Sequence, residues 1–190
     1  MSGPPANSAV PTISGTTNVG DTLTAGNGTW SGYPAPAFTY QWKRCDSDGN
    51  NCANVASATA GTYMIVSADQ GNTLRDVVTA RNGSGSSAAT SNATAQVTGS
   101  PVNTALPTLS GPTPALGTAL TVADGTWTGF QAPGFTRQWE RCDQSGANCV
   151  DIGGATGTSY TLVPTDVGTT IRGRVTGTNT AGSSSADSAQ

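Results

Sequence analysis

The chain repeats itself. Gly28-Thr29-Trp30 returns as Gly125-Thr126-Trp127, Gln41-Trp42 as Gln138-Trp139, and Cys45 and Cys52 as Cys142 and Cys149, every pair displaced by 97 positions. From Gly20 to Ser87 roughly half of the aligned positions are identical, without a gap. Upstream, Pro11-Thr12-Ile13-Ser14-Gly15 matches Pro107-Thr108-Leu109-Ser110-Gly111 at a displacement of 96, so one residue was gained or lost in a turn before Gly20. A repeat of this size must close its own modest core. The copies are read as residues 5–100 and 101–190. Gln190 aligns with Ala93, so nothing in the second copy matches Thr94 to Thr98, and its last strand is expected to be truncated.

Within each copy, short β-rich runs recur between clusters of Gly, Pro, Asn and Asp, the pattern of an all-β sandwich or barrel. In the first copy the runs predict strands near 10–14, 21–30, 37–45, 52–56, 62–66, 73–81 and 86–97. Phe38, Tyr40 and Trp42 alternate as a half-buried strand requires. Leu74, Val78 and Ala80 share one parity. Asp76 falls on the same parity and conflicts with it, so it is expected at a strand edge or as a hydrogen-bond acceptor.

The run from Gly20-Asp21-Thr22-Leu23 through Gly32-Tyr33-Pro34-Ala35-Pro36 to Trp42 resembles the B-to-C region of intermediate-type immunoglobulin domains. Asp69-Gln70-Gly71 and Asn82-Gly83-Ser84-Gly85 resemble their E–F corner and F–G hairpin, and Asn179-Thr180-Ala181-Gly182 is the second instance. The whole pattern is similar to bacterial immunoglobulin-like repeats that occur in tandem in secreted and cell-surface proteins. The resemblance implies two tandem immunoglobulin-like β-sandwich domains. Two features of the family are missing. No cysteine lies in the B or F run, and Thr73 and Thr170 stand where the corner tyrosine would fall.

Cys45 and Cys52 flank a turn-rich run, as do Cys142 and Cys149. A hairpin places such residues opposite each other, so the pairs Cys45–Cys52 and Cys142–Cys149 are expected. Zinc is disfavoured, because two cysteines per copy and no histidine cannot complete a four-ligand site. Asp46, Asp48 and Asn50 alternate like the start of a calcium loop, but the second copy has Asp143, Ser145 and Ala147, and no bidentate glutamate follows; a polar turn is the expected reading. Trp42 and Trp139 are expected in the core. Trp30, Tyr33, Trp127 and Phe130 are the candidate ligand-stacking aromatics. An intramolecular Lys–Asn bond is disfavoured, because the single lysine, Lys43, is matched by Glu140. The sequons at Asn27, Asn82 and Asn92 are ordinary in an Asn/Thr-rich chain.

Composition narrows the function. The absence of histidine removes the commonest general base, and no serine or threonine has a base beside it. No enzyme, cofactor or metal site is expected. The eight basic residues form no patch, which argues against nucleic acid. No apolar run reaches the length of a membrane span, and no signal peptide is visible. Persistent disulfides imply an oxidising, extracellular or cell-surface location. The leading expectation is a structural spacer whose partners are neighbouring repeats or other copies of itself. The alternatives are an adhesin-like module binding a glycan or surface, and a filament subunit assembled by strand exchange. The proline-bounded connector Gly99–Pro107 is expected to hold the copies extended, as a rod.

Overall fold

The computed structural model describes residues 2–190. The chain divides into two compact units, with the division between Gly99 and Ser100. The first unit carries β1 (Gly3–Ala9), β2 (Thr12–Ser14), β3 (Thr22–Gly26), β4 (Thr29–Tyr33), β5 (Ala37–Cys45), β6 (Ala53–Asn54), β7 (Thr62–Met64), a 3-10 turn (Ser67–Asp69), β8 (Thr73–Asn82) and β9 (Gly85–Thr90). The second repeats the order with β10 (Gly99–Ala105), β11 (Thr108–Ser110), β12 (Ala119–Ala123), β13 (Thr126–Phe130), β14 (Gly134–Cys142), β15 (Val150–Asp151), β16 (Ser159–Thr161), a 3-10 turn (Pro164–Asp166), β17 (Thr170–Asn179) and β18 (Gly182–Asp187).

In the first unit a three-stranded sheet, β2-β3-β7, faces a four-stranded sheet, β6-β5-β8-β9, and a two-stranded ribbon joins β1 to β4. The second unit has the same three sheets, β11-β12-β16, β15-β14-β17-β18 and β10-β13. The strand pairs of the three- and four-stranded sheets, and β1 with β4, are antiparallel. Each unit is thus an immunoglobulin-like β-sandwich. The short strand after β5, β6, joins the edge of the β5 sheet.

Side-chain alternation decides which face of each strand is buried. Trp42 on β5 and Leu74, Val78 and Ala80 on β8 are fully buried, and Leu23 of the opposite sheet joins Trp42 and Leu74 in one core cluster. The first core joins Leu23, Trp42, Tyr63, Ile65, Leu74 and Val97; the second joins Leu120, Val122, Trp139, Leu162, Ile171 and Val175.

Three expected elements come out differently. The run 21–30 is two strands, because Gly28 takes φ +76° and its Cα lies against the Ala9 carbonyl, where no Cβ fits. The connector Gly99–Pro107 is largely strand, since β10 pairs with β13, as β1 pairs with β4. The run 86–97 is regular only to Thr90. Beyond it the chain stays bound to β8 and the turn before it through Ser91 N–H to Asp76 C=O, Thr94 N–H to Leu74 C=O and Val97 N–H to Asn72 C=O, each at 2.8–2.9 Å.

Asp76 is also corrected. It lies on β8, an inner strand, and is fully buried. Its backbone is paired with Ser91, but neither carboxylate oxygen has a hydrogen-bond partner. In the second unit the same position is Gly173, and a Cβ there would meet Val122 Cγ2 at 2.8 Å. The first unit has Ala25 in place of that valine. The two repeats therefore fill one core volume in opposite ways.

Candidate functional site

The residues that repeat most faithfully build two internal braces. The first is the disulfide hairpin. Cys45 closes β5, Cys52 precedes β6, and the two are bonded; Cys142 and Cys149 are bonded likewise. Inside the loop the Asp46 carboxylate accepts from Asn50 N–H at 2.7 Å, Asp48 N–H at 3.1 Å and Asn51 Nδ2 at 2.8 Å. These bonds hold its pKa below the usual carboxylate range, the Asn50 amide contributing most. In the second repeat Asp143 accepts from Ser145, Ala147 and Asn148, and its pKa falls to about 2, with the Ser145 hydroxyl the largest cause. The carboxylate that suggested a calcium loop is spent on the turn itself. Thr73 donates its hydroxyl to Asp46 C=O at 2.9 Å, and Thr170 to Asp143 C=O at 3.0 Å. The threonines that replace the corner tyrosine thus tie the hairpin to the long strand.

The second brace spans the two sheets. Asp69, fully buried, accepts from Val66 N–H at 2.9 Å, Tyr63 Oη at 2.8 Å and Arg44 Nε at 2.7 Å. The Tyr63 ring stacks on Trp42 with centroids 5.5 Å apart. Burial, with the bond to Asp69 behind it, pushes the Tyr63 hydroxyl up to about 12. The second repeat rebuilds the motif with Asp166, Val163, Tyr160, Arg141 and Trp139. There burial pushes the Asp166 carboxyl up, but Val163 N–H, Arg141 and Tyr160 together hold it below its ordinary range. Sequence reading passed over this motif because its members are scattered. The signal was there, since Arg44, Tyr63 and Asp69 all recur at the repeat distance.

The candidate stacking aromatics sit on β4 and β13. Trp30 and Trp127 are half-buried; each indole donates to a backbone carbonyl, Asn27 or Asp124, at 2.7 Å, and packs beside Phe38 or Phe135. Tyr33 is 69% exposed, and Phe130 is half-buried. Three positions along a strand place Trp30 and Tyr33 on opposite faces, and likewise Trp127 and Phe130. Behind each tryptophan the repeats exchange chemistry: Tyr40 Oη donates to Asn27 at 2.8 Å in the first, and Arg137 pairs with Asp124 in the second.

Glu140, where the first repeat has Lys43, is buried at the centre of a charge network. Arg174 Nη1 lies 2.8 Å from Glu140, Arg172 also binds it, and both arginines reach Asp187 at 3.0–3.1 Å. Two arginines for two carboxylates leave the buried charge paired. Among the described residues no helix is long and apolar enough to cross a membrane.

No protein-family model matches the chain, and no curated protein matches it. Among solved structures it is similar to a Dscam structure concerned with isoform specificity, at 17% identity and a TM-score of 0.36, covering 99% of this chain and 45% of that one. It is also similar to the N-terminal four Ig domains of a Dscam1 isoform, at 16% identity, TM-score 0.36, and 95% and 45% coverage. A set of titin domains matches at 18% identity, TM-score 0.42, and 91% and 59% coverage. The chain spans about half the length of the structures it matches. At these values the fold rests on the protein's own strand order and register.

Proposed function

We propose that the chain is a non-catalytic structural repeat of an extracellular or cell-surface bacterial protein, each unit acting as a spacer. The observation that carries the reading is the duplicated bracing. Both units keep the same hairpin disulfide and the same Trp–Tyr–Asp–Arg cluster, while the residues around them change. What the duplication preserved is what makes each unit stiff. Two disulfides also favour an oxidising compartment.

The test is a titration of tryptophan fluorescence with cell-wall polysaccharides, together with thiol labelling of the protein as its cells display it. The spacer reading expects no saturable change in emission and no labelling before reduction. A saturable shift that disappears in Trp30→Ala or Tyr33→Ala would replace the spacer with a glycan-binding module. Free thiols on the displayed protein would overturn the location.

A further inference from the structure

Strand β8 is covered unevenly along its two edges. On one side β5 pairs with it from Arg81 back to Thr73. On the other, β9 reaches only as far as Val77, opposite Thr90. From Asp76 back to Asn72 that outer edge is covered by the irregular residues 91–98. Ser91 N–H donates to Asp76 C=O at 2.9 Å, and Ser91 Oγ accepts Asp76 N–H at 3.0 Å. Thr94 brackets Leu74 in the same way, both bonds at 2.9 Å. Val97 N–H donates to Asn72 C=O at 2.8 Å, and the Val97 side chain is fully buried in the core. The segment is therefore pinned at three separate places and not along a continuous ladder.

At the first pin sits the Asp76 carboxyl, fully buried and without a hydrogen bond to either oxygen. The second unit keeps the serine bracket, Ser188 on Gly173, but has no carboxyl behind it. No charge compensates Asp76. On the strand faces packed toward it the titratable groups are Tyr40 and Arg44 of β5 and Tyr63 of β7. Tyr40 is bonded to Asn27, and Arg44 and Tyr63 to Asp69. Asp21, just before β3, is bonded to Thr16 and Asn18. Residues 91–98 carry no charged side chain, and Lys43 and Arg75 have the opposite strand parity. A carboxyl in such a place stays buried only while it holds its proton. Burial pushes its pKa up to about 6, so the closed arrangement is favoured below that value and loses its advantage as pH rises through it. The ionised group needs water. The β5 side is a full ladder with Trp42 opposite Asp76, whereas the other side is closed only by the three pins.

We propose that Asp76 is a proton-operated latch on residues 91–98. With the carboxyl protonated the segment stays docked along β8; with the carboxyl ionised it lifts, beginning at Ser91, and lets water reach the charge. Lifting frees the backbone groups of Asp76 and Leu74 and uncovers the core beneath Val97. The latch belongs to the first unit alone and does not depend on the spacer reading.

The test is amide hydrogen exchange of the full chain in low urea, corrected for the intrinsic effect of pH on exchange, comparing Ser91, Thr94 and Val97 with the amides of the β5–β8 ladder. The three are expected to exchange through an opening smaller than global unfolding, and so to respond less to urea than the ladder does. Their protection should fall on the order of tenfold to a hundredfold as pH rises through the Asp76 transition. Asp76→Asn should remove that fall. Asp76→Gly combined with Ala25→Val, which copies the second unit, should remove it too and preserves the readout if the asparagine variant does not fold. Protection of the three amides that tracks the ladder at every urea concentration would overturn the latch, because the charge would then open the whole unit. A local opening that ignores pH, or that keeps its pH dependence in the double variant, would overturn the role of Asp76.

Discussion

Asp76 is the residue where the first repeat departs furthest from good packing. It is a buried carboxyl without a hydrogen bond to either oxygen, opposite Trp42 in the strand register. Burial pushes its pKa up to about 6, against a weaker pull from the Gln41 and Val77 amides. The other carboxyl buried in this unit, Asp69, is bonded to Tyr63 and Arg44. A carboxyl whose pKa is raised by folding binds its proton more tightly in the folded state. Its contribution is therefore fully present below the unfolded value near 4 and is lost as pH rises through about 6. At about 1.4 kcal/mol per pKa unit the first unit should lose about 3 kcal/mol of stability across that window, and Asp76→Asn should flatten the dependence. Asp76→Gly combined with Ala25→Val copies the second repeat and should raise the stability of the first unit at pH 7 by about 2 kcal/mol in urea unfolding. A pH-independent midpoint in the parent would contradict this. The sequence marked Asp76 as a conflict of parity, but its consequence became visible only with Gly173 and Val122 beside it. Trp42 is the opposite case, legible from alternation alone and fully buried. Trp42→Ala and Trp139→Ala should each cost about 3–5 kcal/mol, enough to unfold the affected unit; a parent-like melt would contradict the packing.

At the scale of elements, the strands that alternate were legible and the others were not. β5 and β8 could be read because one face of each is core. β1 was passed over because Pro4 and Pro5 belong to it, and proline is tolerated in a strand only at an edge, which is where β1 lies in its ribbon with β4. The tail after Thr90 falls within the expected run 86–97, and Val97 is fully buried, but the regular strand stops at Thr90. The hairpin disulfides followed from spacing, but the role of Asp46 and Asp143 inside them did not, since a turn organiser and a calcium ligand have the same composition. Replacing Cys45 and Cys52 with serine should lower the stability of the first unit by about 2–3 kcal/mol and leave its fold intact, as Thr73 and Asp46 still hold the hairpin. Heat unfolding with far-ultraviolet dichroism checks both halves. Loss of the native spectrum at low temperature would show that the bond, and not the sandwich core, specifies the unit.

At the scale of the whole molecule, each unit has its own core, its own disulfide and its own Trp–Tyr–Asp–Arg brace. The internal repeat made this duplication legible before any strand was assigned. What the repeat alone did not convey was what the differences between the copies do: Glu140 is held by two arginines where the first unit has Lys43, and Gly173 makes room for Val122 where the first unit has Asp76. Those differences should give the units unequal resistance to unfolding, although their fold is the same. A spacer must carry tension unit by unit, and stretching single molecules between their ends tests that directly. Two separate unfolding events are predicted, each releasing the chain outside its disulfide loop. Under reducing conditions each event should lengthen by roughly 20 Å, the span of seven Cα steps at about 3.5 Å apiece less the 3.9 Å that already separates the two cysteine Cα atoms. A single event for the entire chain, or extension without resolvable resistance, would contradict the account.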